Sequence, residues 1–204
     1  MNNNQIIDLF SGCGGFSLGF HKAGFKTVLA ADFDASSCAS FGNMSKTSKV
    51  INEDITSQNF KKNLKLFCSN LSMPINGVIA GLPCQSFSSV GKAQDKYSMK
   101  NDERNYFYKD FFDCIKIINP DFFIFENVSG LMSSKPNGFS IFQDILIKAK
   151  KNGYNIINDK KTVLLNSAEF GVPQIRKRVF IIGIKKKLNI DINKIYSDIN
   201  KLKT

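Results

Sequence analysis

Short apolar runs alternate with amphipathic stretches along most of the chain, the pattern of strands alternating with helices. Gln5–Phe10 reads as a first strand, and Phe16–Gly24 as a helix closed by glycine. Thr27–Ala31 predicts a second strand with a short helix over Ala35–Phe41 behind it; Lys49–Ile51 predicts a third, followed by a helix over Gln58–Leu71. Gly77–Ala80 and Phe122–Phe125 read as further strands, separated by a helix over Tyr106–Ile118 whose exit is marked by Pro120. After a helix over Phe139–Asn152 the rhythm changes. Tyr154–Leu165 and Arg178–Ile184 read as two strands joined by a loop without a helix. The alternation predicts an α/β fold with a doubly wound, mostly parallel sheet, and the late pair predicts an antiparallel edge.

Composition narrows the class. With 204 residues, 43% hydrophobic and 22% charged, the chain suits one globular domain with a sizeable core. No stretch has the apolar length of a membrane span, and Met1-Asn-Asn-Asn-Gln5 lacks the regions of a signal peptide, so a cytoplasmic protein is expected. Cys13, Cys38, Cys68, Cys84 and Cys114 are an odd set without a Cys-x-x-Cys pair, and His21 is the single histidine, so neither disulfides nor a metal is expected. The formal charge of +11 favours a polyanionic partner, although a merely solvated lysine-rich surface has the same composition. Arg104, Arg176 and Arg178 stand out because only guanidinium makes fixed bidentate contacts.

Three places carry candidate chemistry. Phe10-Ser-Gly-Cys-Gly-Gly-Phe16 follows a strand and opens a helix, so backbone N–H groups there can approach a ligand closely. Asp32, 20 residues beyond Gly12 at the end of the second strand, stands where an acid grips ribose hydroxyls; Phe33 could stack on adenine, and Asp54 could accept from its amino group. The turn is neither a Walker loop nor a strict dinucleotide fingerprint. An adenosine ligand without pyrophosphate fits better, and S-adenosylmethionine is the leading candidate. Next, Gly81-Leu-Pro-Cys-Gln-Ser-Phe-Ser88 and Phe125-Glu-Asn-Val128 place Cys84 and Glu126 just beyond apolar strands, so both should face one crevice at the carboxyl ends of the sheet. Pro83 stiffens the approach to Cys84, the polar residues after it read as wet loop, and Ser86–Asn105 reads as a long loop over that crevice. A thiolate there can attack an electron-poor ring carbon while the acid holds a ring nitrogen, with Asn127 available to fix the acid's rotamer. Finally, Gln174-Ile-Arg-Lys-Arg178 leads into the last strand, and alternation sends Arg176 and Arg178 to one face.

On these strings the chain resembles the cytosine-5 DNA methyltransferases. Asp8–Phe16 is similar to their first cofactor motif, Gly81–Ser88 to the catalytic loop, Glu126–Val128 to the acid motif and Gln174–Arg178 to the arginine motif, in the family's order over nearly the whole chain. The resemblance implies a Rossmann-like methyltransferase fold over 1–184, with 185–204 as a helical tail. It implies that Cys84 attacks C6 of cytosine, that Glu126 contacts N3, and that Arg178 holds O2 and organises Glu126, with Arg176 close by. The implied S-adenosylmethionine set is Phe10, Gly12, Gly14, Phe16, Asp32, Phe33, Asp54, Ile55, Pro83 and Phe107. Arg104-Asn-Tyr-Phe107 departs from the family's Arg-Gly-x-Leu element by placing Asn105 where glycine is usual. Because C6 is shielded inside a stacked duplex, the cytosine must be flipped out of double-stranded DNA.

Family members continue into a target-recognition region. No segment of this sequence reads as a major-groove reader of that kind, so a second subunit carrying recognition, or a truncated reading frame, is expected. Ile190, Ile192, Ile195, Ile199 and Leu202 recur at near-helical spacing, a stripe suited to packing or docking. Two alternatives remain open at this level: a tRNA cytosine-5 methyltransferase, which would share the chemistry, and an inactive remnant that binds only DNA or cofactor.

Overall fold

The computed structural model describes residues 4–83, 87 and 102–204. The chain divides into two compact units, Met1–Leu82 with Phe107–Ile124, and Pro83–Tyr106 with Phe125–Thr204.

The first unit holds β1 (Gln5–Leu9), α1 (Gly15–Lys22), β2 (Lys26–Asp32), α2 (Ala35–Met44), β3 (Lys49–Asn52), α3 (Gln58–Ser69), β4 (Gly77–Gly81), α4 (Phe107–Ile118) and the start of β5 (Phe122–Val128). Its strands lie in the order β3-β2-β1-β4-β5. β1 pairs in parallel with both β2 and β4, and β2 in parallel with β3. The order therefore reverses between β1 and β4, and open α/β sheets bind ligands outside the carboxyl ends of strands at such a switch. The glycine turn leaves β1 at that point, and Gly81, where a Cβ would lie 3.6 Å from the Phe10 carbonyl oxygen, ends β4 beside it.

Phenylalanine does much of the packing, in keeping with 19 Phe and no Trp. Phe20, Phe25 and Phe122 meet with ring centroids 5.3 to 6.4 Å apart, and the Phe122 ring lies over Gly77, where a Cβ would come within 2.8 Å of it. Phe111, Phe112 and Phe123 meet edge to face at 5.5 to 5.6 Å, the arrangement the ring quadrupole favours. Helix starts are set by side chains: Asp34 accepts from Ser37 N–H before α2, and Ser57 from Phe60 N–H before α3. α1 differs, since its N-cap is Gly14 in a left-handed conformation, which offers no side-chain acceptor.

The second unit holds the end of β5, α5 (Ile141–Lys151), β6 (Tyr154–Ile156), β7 (Leu164–Asn166), β8 (Lys177–Lys185) and α6 (Ile192–Lys201). β8 follows β5 in the sheet, and both β6 and β7 pair with β8 antiparallel. Two expectations change. Tyr154–Leu165 is not one strand, because the Asp159 carboxylate accepts from Lys161 and Thr162 N–H and closes a turn between β6 and β7. Glu126 does not follow its strand; β5 continues to Val128, and its alternating burial puts Phe125 and Asn127 on one face and Glu126 on the other. Asn127 is fully buried, with its Oδ1 accepting from Val128 N–H.

α6 is held by a residue outside the isoleucine stripe. The Tyr196 hydroxyl donates to the Phe180 carbonyl at 2.8 Å and accepts from Ile182 N–H at 3.2 Å, which ties the helix to β8. Ile192 is buried with it, whereas Ile190 and Leu202 stay exposed. Tyr196→Phe keeps the ring but strands a buried N–H. It should cost about 1–3 kcal/mol in a urea titration, and a loss below about 0.3 kcal/mol would contradict this anchoring role.

Candidate active site

In the first unit the turn after β1 is shaped from three sides. Phe10 and Gly12 both take positive φ, near 55° and 52°, and Gly14 reaches 92°. Gly14 is required twice over, because a Cβ there would also come within 2.8 Å of the Phe41 ring and closer still to Met44. Gly12 N–H donates to Asp32 Oδ2 at 2.8 Å while Asp34 N–H donates to Oδ1 at 3.0 Å, so the acid ending β2 holds the turn. Asn52 at the end of β3 donates to the Phe33 carbonyl, leaving the Phe33 ring 73% exposed beside the turn. Asp54 accepts from Thr56 N–H and Oγ–H at the surface, and Ile55 next to it is buried. Phe16 is half-buried against Phe20. Phe107 stacks on Phe10 at 5.9 Å, nearly parallel. The structure thus brings Phe10, Gly12, Asp32, Phe33 and Phe107 to the carboxyl ends of β1 and β2.

Beneath this turn lies a polar chain that the sequence pattern hides. Asp8, fully buried in β1, accepts from Ser17 Oγ–H at 2.6 Å; Ser17 Oγ is 2.8 Å from Thr27 Oγ1, which is 2.9 Å from His21 Nε2. Among the described residues neither Asp8 Oδ1 nor the buried Ser11 Oγ has a hydrogen-bond partner. Burial pushes the Asp8 carboxyl up to about 7, with the Ser17 hydrogen bonds opposing and Asp32 adding to the rise. The folded chain therefore keeps a proton that the unfolded chain releases near pH 4. That contribution is complete at low pH and is lost as pH rises through 7. Asp8→Asn should flatten the stability profile between pH 4.5 and 8 and gain on the order of 3 kcal/mol relative to wild type across it. Parallel profiles for the two proteins would contradict this.

In the second unit Glu126 and Arg178 meet. Arg178 Nε lies 2.8 Å from Glu126 Oε1, while Nη1 donates to the Lys177 carbonyl at 2.9 Å, so two contacts aim the guanidinium. Burial raises the Glu126 carboxyl above its ordinary range, and the Arg178 and Arg176 guanidiniums only partly offset it. The pair faces a cavity of about 360 Å³ with Arg176, Ser167, Phe170 and Phe180 among its walls. The loop before Arg176 is stapled: Ser167 Oγ–H donates to the Gln174 carbonyl, Arg176 N–H to Asn166 Oδ1, and Ser167 N–H to the Arg176 carbonyl. Arg104 is used differently, its fork gripping Asp102 at 2.6 to 3.0 Å. Pro83 is half-buried; Cys84 and most of the expected loop Ser86–Asn105 lie outside the described residues. Of the other cysteines, burial pushes the thiols of Cys68 and Cys114 up to about 11 and about 12 and raises that of Cys38, which disarms all three as nucleophiles.

The family model for C-5 cytosine-specific DNA methylases matches residues 4–204. The chain belongs to that family. Type II methyltransferase M.DdeI of Desulfomicrobium norvegicum is 41% identical over 184 residues, which are 89% of this chain and 40% of that relative. Type II methyltransferase M.AquIA of Picosynechococcus sp. is 36% identical over 185 residues, 88% of this chain and 71% of the relative. The crystal structure of a DNA modification methyltransferase encoded within an E. coli prophage superposes with a TM-score of 0.73 at 34% identity, covering 92% of this chain and 48% of that one. This methylase chain thus spans less than half the length of M.DdeI and of the prophage enzyme. Its sheet order and mostly parallel pairing are those of a Rossmann-like fold. Among the described residues no group of three or more His, Cys, Asp or Glu could hold a metal, and no helix is long and apolar enough to cross a membrane.

Proposed function

We propose that the chain carries the cofactor-binding and chemical part of a DNA (cytosine-5-)-methyltransferase that uses S-adenosylmethionine on a flipped cytosine, in the setting of a type II modification system. The reading is supported most directly by the Glu126–Arg178 pair at 2.8 Å, a carboxyl of raised proton affinity aimed by a doubly held guanidinium at a cavity of about 360 Å³.

The chemistry follows from the ring. C5 of cytosine is a poor nucleophile, and a thiolate adding to C6 breaks the C5=C6 double bond and turns C5 into an enamine carbon. Cys84 is assigned that attack. Negative charge delivered into the ring develops at N3, an acceptor, so the group beside it must bring a proton; an ionised carboxylate is acceptor-only. A buried Glu126 whose proton is held above the ordinary range meets that need, and Arg178, with Arg176 near it, is assigned the O2 side. Once C5 has taken the methyl group, loss of its proton restores the double bond and expels Cys84.

The residues at the ends of β1 and β2 suit the cofactor. Among the described residues an added Cβ at Gly12 meets nothing within 4 Å and the buried Ser11 Oγ has no partner, and Phe33 is exposed and available to an adenine. When bound, S-adenosylmethionine supplies an electrophilic methyl group. Phe10, Phe16, Asp32, Asp54, Ile55 and Phe107 complete the proposed cradle, and Pro83 is assigned to the cofactor from the motif alone. Twenty-eight basic against 17 acidic side chains favour DNA as the partner through phosphate contacts.

Incubation with S-adenosylmethionine and duplex DNA containing 5-fluorocytosine tests the reading. Fluorine at C5 cannot leave as a proton, so the C6–sulfur bond persists and a DNA-linked band is expected with wild type and absent with Cys84→Ser. A band on fluorinated tRNA alone would move the substrate to RNA. No band on either, with or without a separately supplied recognition subunit, would leave a binding remnant.

A further inference from the structure

Gly130 lies in the 3-10 turn Ser129–Met132, four residues beyond Glu126. A Cβ built on it would stand 3.1 Å from the carbonyl carbon of Phe87 and closer still to the carbonyl oxygen. The obstacle is main chain, which cannot rotate aside as a side chain can. Gly130 is not among the positive-φ residues, so backbone conformation does not demand glycine here; space does. Phe87 is itself 4% exposed, and the turn beneath it is firm: Leu131 is buried, Ser133 N–H and Oγ–H both donate to the Gly130 carbonyl, and Lys160 Nζ donates to that of Met132.

Phe87 stands three residues after Cys84, so covalent geometry keeps their Cα atoms within about 11 Å. We propose that Gly130 is a positioning residue for the methyl-transfer reaction: its missing side chain is the seat that lets the Phe87 backbone, three residues after the assigned nucleophile, lie against the turn following Glu126. The proposal rests on the assignment of Cys84 made above. Any side chain at 130 lifts the Phe87 backbone, and a misplacement on the order of 1 Å at a nucleophile costs about 100-fold.

The experiment is single-turnover adduct formation on 5-fluorocytosine DNA at saturating DNA and S-adenosylmethionine, with calorimetric cofactor affinity and thermal melting in parallel. Gly130→Ala should lower the adduct rate about 100-fold while leaving cofactor affinity and DNA half-saturation within about threefold, a split that general loosening of the fold would not produce. Gly42→Ala, where the added Cβ meets nothing within 4 Å among the described residues, should keep the wild-type rate. Phe87→Ala removes the buried ring without pressing on the turn and should lower the rate at least tenfold, so it decides the matter if Gly130→Ala does not fold. A wild-type adduct rate in either folded variant overturns the proposal while the function stands. Absence of adduct in the wild type, with a recognition subunit supplied as well, overturns the function itself.

Discussion

Glu126→Gln is expected to slow adduct formation on 5-fluorocytosine DNA by about 10²–10⁴-fold with cofactor affinity unchanged, the range lost when a positioned proton donor is removed. Glutamine can still offer an N–H to N3 and still accept from Arg178, so the loss isolates the proton rather than the shape. The pH dependence carries the sign. Burial holds the Glu126 proton above the ordinary range against the pull of Arg178 and Arg176, so the competent form is present at low pH and is lost as pH rises through the raised value. The wild-type rate corrected for thiolate fraction should therefore fall on the alkaline side. The glutamine variant should lack that limb. A variant rate within tenfold of wild type, or an identical pH profile, would remove Glu126 from the proton-donating role.

Arg178→Ala should be nearly as damaging and should also be felt in stability. At pH 8 it leaves Glu126 without the guanidinium 2.8 Å away, in a site where its side chain is only 24% exposed, at a cost of about 1–3 kcal/mol. At pH 4 the carboxyl is protonated in both proteins, so the stability difference should shrink. Lysine is a poor substitute, because one ammonium cannot both meet Glu126 and reach the Lys177 carbonyl from the same plane. Adduct rates in Arg178→Lys should stay within about tenfold of the alanine variant. Denaturation midpoints at the two pH values separate this account from simple loss of packing, which would be independent of pH. Full activity in Arg178→Lys would reduce the guanidinium to a plain counter-charge.

Most of the architecture was legible because it is written in local periodicity. The apolar runs that read as strands over Gln5–Phe10 and Gly77–Ala80 form β1 over Gln5–Leu9 and β4 over Gly77–Gly81, and glycine at 24 and proline at 120 punctuate the chain where expected. The same holds for the motif residues, whose order along the sequence needs no third dimension. Local pattern could not place the end of β5, since Glu126 is polar but occupies a half-buried position of a continuing strand. Nor could it break Tyr154–Leu165, where Asp159 turns the chain between two pieces that each find β8.

What the one-dimensional pattern determined about this methylase is therefore the alternation of elements, the family motifs and the candidate atoms for the chemistry. The tertiary structure alone decided which groups are perturbed and which positions tolerate no side chain. Asp8 holds its proton because β1 lies in the interior under α1, and Glu126 meets Arg178 across 52 positions of sequence. Tyr196 reaches two backbone groups of β8, and Gly130 admits a carbonyl from residue 87. Desolvation, pairing and exclusion depend on what is brought near from far along the chain, and a local pattern of polar and apolar residues contains no information about those distances.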